Sequence, residues 1–150
     1  MGDFKKFIKA FELLTEKPPS NNSLENRIIV QKIAYLLQKK GIQFGYSFGW
    51  YIYGVFSRDL WRDNLGNSDS KTSRELSPVE LVTIDTLKHQ SVKNTFSNSD
   101  ELELVTSILY WAEKQSKPIN DEEVLNLVRA TKPRFKDSEY SKAVEIATSF

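Results

Sequence analysis

Between Ser23, a good helix N-cap, and Gly41, a good terminator, lies a predicted helix with apolar side chains on two faces. Ile29, Val30, Ile33, Ala34, Leu36 and Leu37 fill one broad face, and Leu24, Ile28 and Tyr35 make a second stripe. Arg27, Gln31 and Gln38 border these faces on one side; Glu25, Lys32 and Lys39 border them on the other. A helix that is apolar on both sides has to be covered on both sides, which puts it at the centre of its domain. The cover over the second stripe is either more of the same chain or a partner seated along Tyr35.

The remaining elements follow from caps and breakers. Phe4, Phe7, Ile8, Phe11, Leu13 and Leu14 recur at mostly helical spacing over 4–16, until Pro18-Pro19 ends the pattern. Ser57 is placed to cap a short helix from Arg58 to Leu65, closed by Gly66. The polar run Asn67 to Arg74 reads as a mobile loop. Ser77-Pro78-Val79-Glu80 combines proline at the first helical position with a glutamate placed for a capping box, and its helix is predicted to reach Val92. Further helices are predicted from Asn98 or Ser99 to Gln115, from Asp121 to Ala130, and from Asp137 to Thr148, with Pro118 and Pro133 between them. The fold class is therefore mainly α: one helical domain over 1–150, about seven helices, and a short extended or hairpin segment near 43–56. Strands do not alternate with helices, so a parallel-sheet fold is not expected.

That extended segment is unusual. From Phe44 to Trp50 every even position is aromatic and every odd one is Gly or Ser, and Tyr51, Tyr53 and Phe56 follow. In an extended chain this puts rings on one face and nearly bare backbone on the other. No charged residue lies between Gly41 and Ser57. Large aromatics usually lie inside, so core packing is one reading of the run and recognition of a partner is the other.

Composition narrows the chemistry. The 150 residues carry 39% hydrophobic and 27% charged side chains with a formal charge of +1, ordinary for a globular protein and no global case for nucleic acid or an acidic membrane. With no cysteine there is no disulfide, thiolate nucleophile or thiolate metal site, and the chain reads as cytoplasmic. No apolar segment is long enough to span a bilayer. Gly45-Tyr46-Ser47-Phe48-Gly49 formally matches G-x-S-x-G, but that nucleophile elbow needs a turn between a central strand and a helix. The single histidine, His89, lies in a predicted amphipathic helix one turn after Asp85, which does not suit a triad with Ser47. Asp100, Glu101 and Glu103 cluster at one helix start and Asp121, Glu122 and Glu123 at another, where acids favour the helix dipole. Neither a catalytic group nor a metal or cofactor site is expected.

For nucleic acid the case is local. Lys39 and Lys40 precede the aromatic run, Arg58, Arg62, Lys71 and Arg74 follow it, and Arg129, Lys132, Arg134 and Lys136 lie near the end. Aromatics interleaved with basic residues suit base stacking and phosphate contact. Asp59, Asp63 and Asp69 offset the second group, and Arg58 and Arg62 are spaced for local pairs with them. A helix, an aromatic hairpin and a following helix also suggest a winged-helix element, but its wing would lack charge. Arg58, Arg62 and Arg134 are the residues this alternative depends on.

Taken together, Arg27-Ile28-Ile29-Val30-Gln31-Lys32-Ile33-Ala34-Tyr35-Leu36-Leu37, then Gly41, Tyr46-x-Phe48 and Tyr51-x-Tyr53-Gly54-x-Phe56-Ser57-x-x-Leu60, resemble the YwgA-like family of small archaeal and bacterial proteins. That family has R-x-x-L-Q-K-x-x-Y-L-L, a glycine, an aromatic stretch and Y-G-P-Y-S-x-x-L. The segment also looks more distantly like the Panacea (SocA-like) domain. The resemblance covers residues 24–65 and departs at Val55-Phe56, where the family has Pro-Tyr; without that proline the turn is less rigid. It implies a mainly helical fold, no established enzymatic activity and, through the Panacea likeness, an antitoxin or adaptor module that binds another protein. The matching positions are Tyr46, Phe48, Tyr51, Tyr53, Phe56 and Ser57. The expectation is thus a non-enzymatic module that binds an unidentified protein partner through these residues and Tyr35. Homo-oligomerisation is left open.

Overall fold

A computed structural model describes residues 2–67 and 73–150. The expected loop at Asn67 to Arg74, with Asp69 and Lys71, lies mostly outside the described residues. Among those described, the protein is mainly helical, with seven α-helices and one two-stranded sheet. In chain order the elements are α1 (Phe4–Thr15), α2 (Leu24–Lys39), β1 (Gly49–Tyr51), β2 (Gly54–Phe56), α3 (Arg58–Arg62), α4 (Pro78–His89), α5 (Ser99–Gln115), α6 (Glu122–Thr131) and α7 (Asp137–Ala147). A π-type turn, Asp63–Asn67, extends α3, and a 3-10 segment, Ser91–Ser97, leads into α5. No helix among the described residues is long and apolar enough to cross a membrane.

Side-chain caps start most of these helices. Ser23 accepts from the Asn26 N–H, Ser57 from Leu60, Ser77 from Glu80, and Asn98 from Glu101. The Ser77 box is complete, since the Glu80 carboxylate accepts the Ser77 N–H at 2.9 Å. That same carboxylate also accepts from Lys6 at 3.0 Å, which ties the start of α4 to α1. α4 stops at His89, short of the expected Val92, because Gln90 turns extended and the tighter 3-10 segment takes over.

α2 and α5 form the centre. α5 packs against α2, α6, α7 and β2, while α1 packs against α2 and α4. Val30, Ile33, Ala34, Leu36 and Leu37 of α2 are buried, as the broad apolar face requires. The second stripe divides: Tyr35 is buried, whereas Leu24 is 46% exposed. Gln31 and Lys32, expected on polar borders, are buried as well, because the hairpin lies across them.

The segment before the hairpin is irregular, yet it keeps the alternation of its sequence. Ile42, Phe44 and Tyr46 are buried while Gln43, Gly45 and Ser47 are exposed. Phe44 meets Phe7 of α1 edge to face at 5.4 Å. β1 and β2 then pair antiparallel, Gly49 opposite Phe56 and Tyr51 opposite Gly54, with Ile52 and Tyr53 as the turn. Gly54, the first residue after the turn, has φ 92°, a left-handed conformation that favours glycine. A Cβ there would meet Ser107 Oγ at 3.4 Å and Lys32 Nζ at 3.5 Å, ordinary contact distances, so it is the backbone conformation and not lack of space that favours glycine.

Candidate functional site

The aromatic residues divide into those that build the core and those that leave it. Tyr35 is 7% exposed, its ring edge-on to Phe48 at 5.4 Å, and burial raises its hydroxyl above the usual phenol range. Tyr46 is 5% exposed; burial raises its pKa, as does the bond its hydroxyl donates to Asp63 at 2.7 Å. Ser57 is buried as the cap of α3. Tyr35, Tyr46 and Ser57 are therefore largely buried, where the expectation grouped them as partner-facing. Phe48 is half-buried in its packing on Tyr35. Trp50 turns inward to Tyr110 and Trp111, with ring centroids 5.2 and 5.1 Å away.

Tyr51, Tyr53 and Phe56 are different. Tyr51 stacks edge-on to Phe56 at 5.1 Å and is well exposed, as is Tyr53. Between them Ile52 is 85% exposed at the hairpin tip. Beside the tip runs a groove of about 370 Å³, lined by the hairpin on one side and by Leu24, Ile28 and their neighbours on α2 on the other. Trp61 of α3 also lines it and is 40% exposed. Sequence reasoning placed Tyr51, Tyr53 and Phe56 here. It missed Ile52, Trp61 and the exposure of Leu24, although Ile52 at the centre of a charge-free turn is the signal that could have found it.

The groove is held in shape by side chains that sequence reading put on the surface. The Gln31 amide accepts the Ser57 N–H at 2.8 Å and donates to the Ser57 carbonyl at 3.0 Å, fixing the junction of β2 with α3. The Lys32 ammonium donates to the carbonyls of Tyr53 and Val55 at 2.6 and 2.7 Å. Lys132, also buried, donates to the Ile52 carbonyl at 3.2 Å. Both lysines sit near the Glu103 carboxylate, 3% exposed, which pairs with Lys132 at 3.3 Å and Arg134 at 3.1 Å. Burial brings Lys32 down to about 7; Glu103 opposes that shift and Lys132 adds to it. Glu103 is thus not a helix-start acid like Asp100 and Glu101, but the counter-ion of a buried cluster beneath the hairpin.

The nucleic-acid candidates do not come together as one basic surface. Arg134 is engaged with Asp100 and Glu103. Lys132 is buried, Lys39 pairs with Glu113, and Arg129 reaches Asp137 at 3.8 Å. Arg58 and Arg62 are exposed on α3 and form no ion pair among the described residues, in contrast to the local pairs their spacing suggested. His89 bonds within α4, its Nδ1 2.9 Å from the Asp85 carbonyl, and Ser47 lies exposed in the irregular segment. Among the described residues no group of three or more His, Asp or Glu side chains is placed to hold a metal ion. No family model, curated protein or solved structure matches this chain.

Proposed function

We propose that the protein is a non-enzymatic regulatory or adaptor module, acting in the cytoplasm, that binds a segment of a protein partner in the groove between α2 and the hairpin tip. The observation that carries this reading is Ile52. An isoleucine 85% exposed at the tip of a hairpin, flanked by two exposed tyrosines and facing an apolar groove, has no role in the protein's own core. The groove is not a soft flap, because buried lysines hold the turn carbonyls from below. Pre-organised apolar surface of this kind limits the ordering cost of association. The resemblance to YwgA-like and Panacea sequences covers the same α2, hairpin and α3 residues, and its adaptor implication agrees. The nucleic-acid reading has less support, since the hairpin lacks cations and Arg134 is committed to acids.

The test compares the wild type with an Ile52→Ser, Tyr53→Ser double variant and with Val79→Ser on α4, a site 76% exposed outside the groove. Partners captured by the wild type should be lost with the double variant and kept with Val79→Ser, all three having the same circular dichroism. Capture that survives the double variant refutes the reading.

A further inference from the structure

Taking the docking reading as its basis, the charges around the groove identify what kind of segment fits it. The α2 wall consists of Leu24, Arg27, Ile28, Gln31 and Lys32, at spacings i, i+3, i+4, i+7 and i+8. That is the seam one helix presents to another, and it runs for about 12 Å at a rise of 1.5 Å per residue. The opposite wall is apolar hairpin. Among the described residues no Asp or Glu lines the groove.

The polar groups of the walls are mostly spent. Both ends of the Gln31 amide are on Ser57, and the Lys32 ammonium faces inward onto Tyr53 and Val55. Arg27 gives one N–H to the Asn21 carbonyl at 3.0 Å, and its remaining donors are available to an occupant. Arg58 and Arg62, four residues apart on α3 and exposed, neighbour Trp61 in sequence but are not among the residues that line the groove. Below the floor, Lys32 and Lys132 share one buried carboxylate, Glu103. An apolar slot whose one charge with unspent donors is the Arg27 guanidinium favours an apolar ridge with a carboxylate beside it and disfavours one with a lysine there.

We propose that the groove seats a short amphipathic helix of a partner protein, about two to three turns long, whose apolar ridge faces Ile52 and Ile28 and which carries an Asp or Glu toward Arg27. The test is selection of displayed random peptides of about 16 residues, long enough for about 24 Å of helix, on the full chain, counter-selected on the Ile52→Ser, Tyr53→Ser variant. Retained peptides should share apolar residues at i, i+3 or i+4, and i+7, and favour Asp and Glu over Lys and Arg. Exchanging the acids of a retained peptide for lysine should weaken it by about tenfold at about 50 mM salt, with a smaller difference at about 500 mM. Arg27→Glu should shrink or reverse that preference. Retained apolar peptides with no acidic bias, or unaffected by the lysine exchange, overturn the charge assignment and leave the docking reading standing. If no retained peptide distinguishes the wild type from the double variant, or none is retained at all, both fall.

Discussion

Replacing Gln31 by leucine removes the two bonds that join α2 to the start of α3 while keeping a side chain of similar size. Gln31 is 5% exposed and Ser57 1%, so water has little access to what the substitution leaves behind. The Ser57 carbonyl keeps a partner, the Trp61 N–H at 3.0 Å. The Ser57 N–H does not, since the Gln31 oxygen at 2.8 Å is its acceptor. A buried N–H left without an acceptor costs roughly 1–3 kcal/mol, so the expected loss is about 2 kcal/mol. For a chain of this length that lowers Tm by about 4–8 °C. Urea titration followed by tryptophan fluorescence should show a lower midpoint with an unchanged m-value. Gln38→Leu is the internal comparison. Gln38 makes the same reciprocal pair with the Tyr46 N–H and carbonyl, at 3.1 and 2.9 Å, but in a half-buried setting that water reaches. Its expected loss is about 1 kcal/mol. Equal losses for the two variants, or a Gln31→Leu loss below about 0.5 kcal/mol, would refute the reasoning. Water would then replace the amide at Ser57, and the placement of Phe56 and Trp61 beside the groove would not depend on α2.

Lys32 should leave a pH signature. Its folded-state pKa, about 7, lies below the unfolded value near 10.5, so between those limits the unfolded chain binds more protons and this group makes stability rise with pH. Relative to Lys32→Met, which lacks the group, wild-type stability should increase from pH 7 toward 10 by up to about 1.4 kcal/mol per pH unit, with no further change below 7; a flat difference in paired urea titrations would contradict the burial of that ammonium. Tyr46→Phe removes only the bond to Asp63 and should lose about 2 kcal/mol without changing peptide binding. Tyr51→Ser, at a site 56% exposed, should lose about 1 kcal/mol through its ring contact with Phe56, less than Tyr46→Phe, and weaken binding; the opposite pattern in titration and binding assays would return Tyr46 to the contact surface.

Which parts of the molecule the sequence made legible follows from how local their causes are. The capping box at Ser77 and the caps at Ser23 and Ser57 act over three residues, and the helices they start are where the residue pattern puts them. The alternation at 42–47 also survives as burial, because the pleat of an extended chain is local. What was not legible depends on residues far apart. Gln31 and Lys32 look like solvated border residues until a hairpin more than twenty positions later lies across them. The ring spacing likewise says which residues share a face, but not whether that face meets α1 or solvent. Tyr46 meets the core, and a two-residue turn without the usual Asn-Gly signal lifts Ile52 and Tyr53 off it.

The missing charge between Gly41 and Ser57 then has a physical cause. This stretch is mostly too irregular to pair with itself beyond the short hairpin, so its carbonyls need donors from elsewhere. Lys6 serves Gln43, Gln38 serves Tyr46, Lys132 serves Ile52, Lys32 serves Tyr53 and Val55, and Gln31 serves Ser57. The cations that a charged loop would carry on its own surface are placed beneath this one, on α1, α2 and the segment after α6. The outward side of the tip is thereby left apolar without being left unsupported, a combination that suits docking better than it suits solvent.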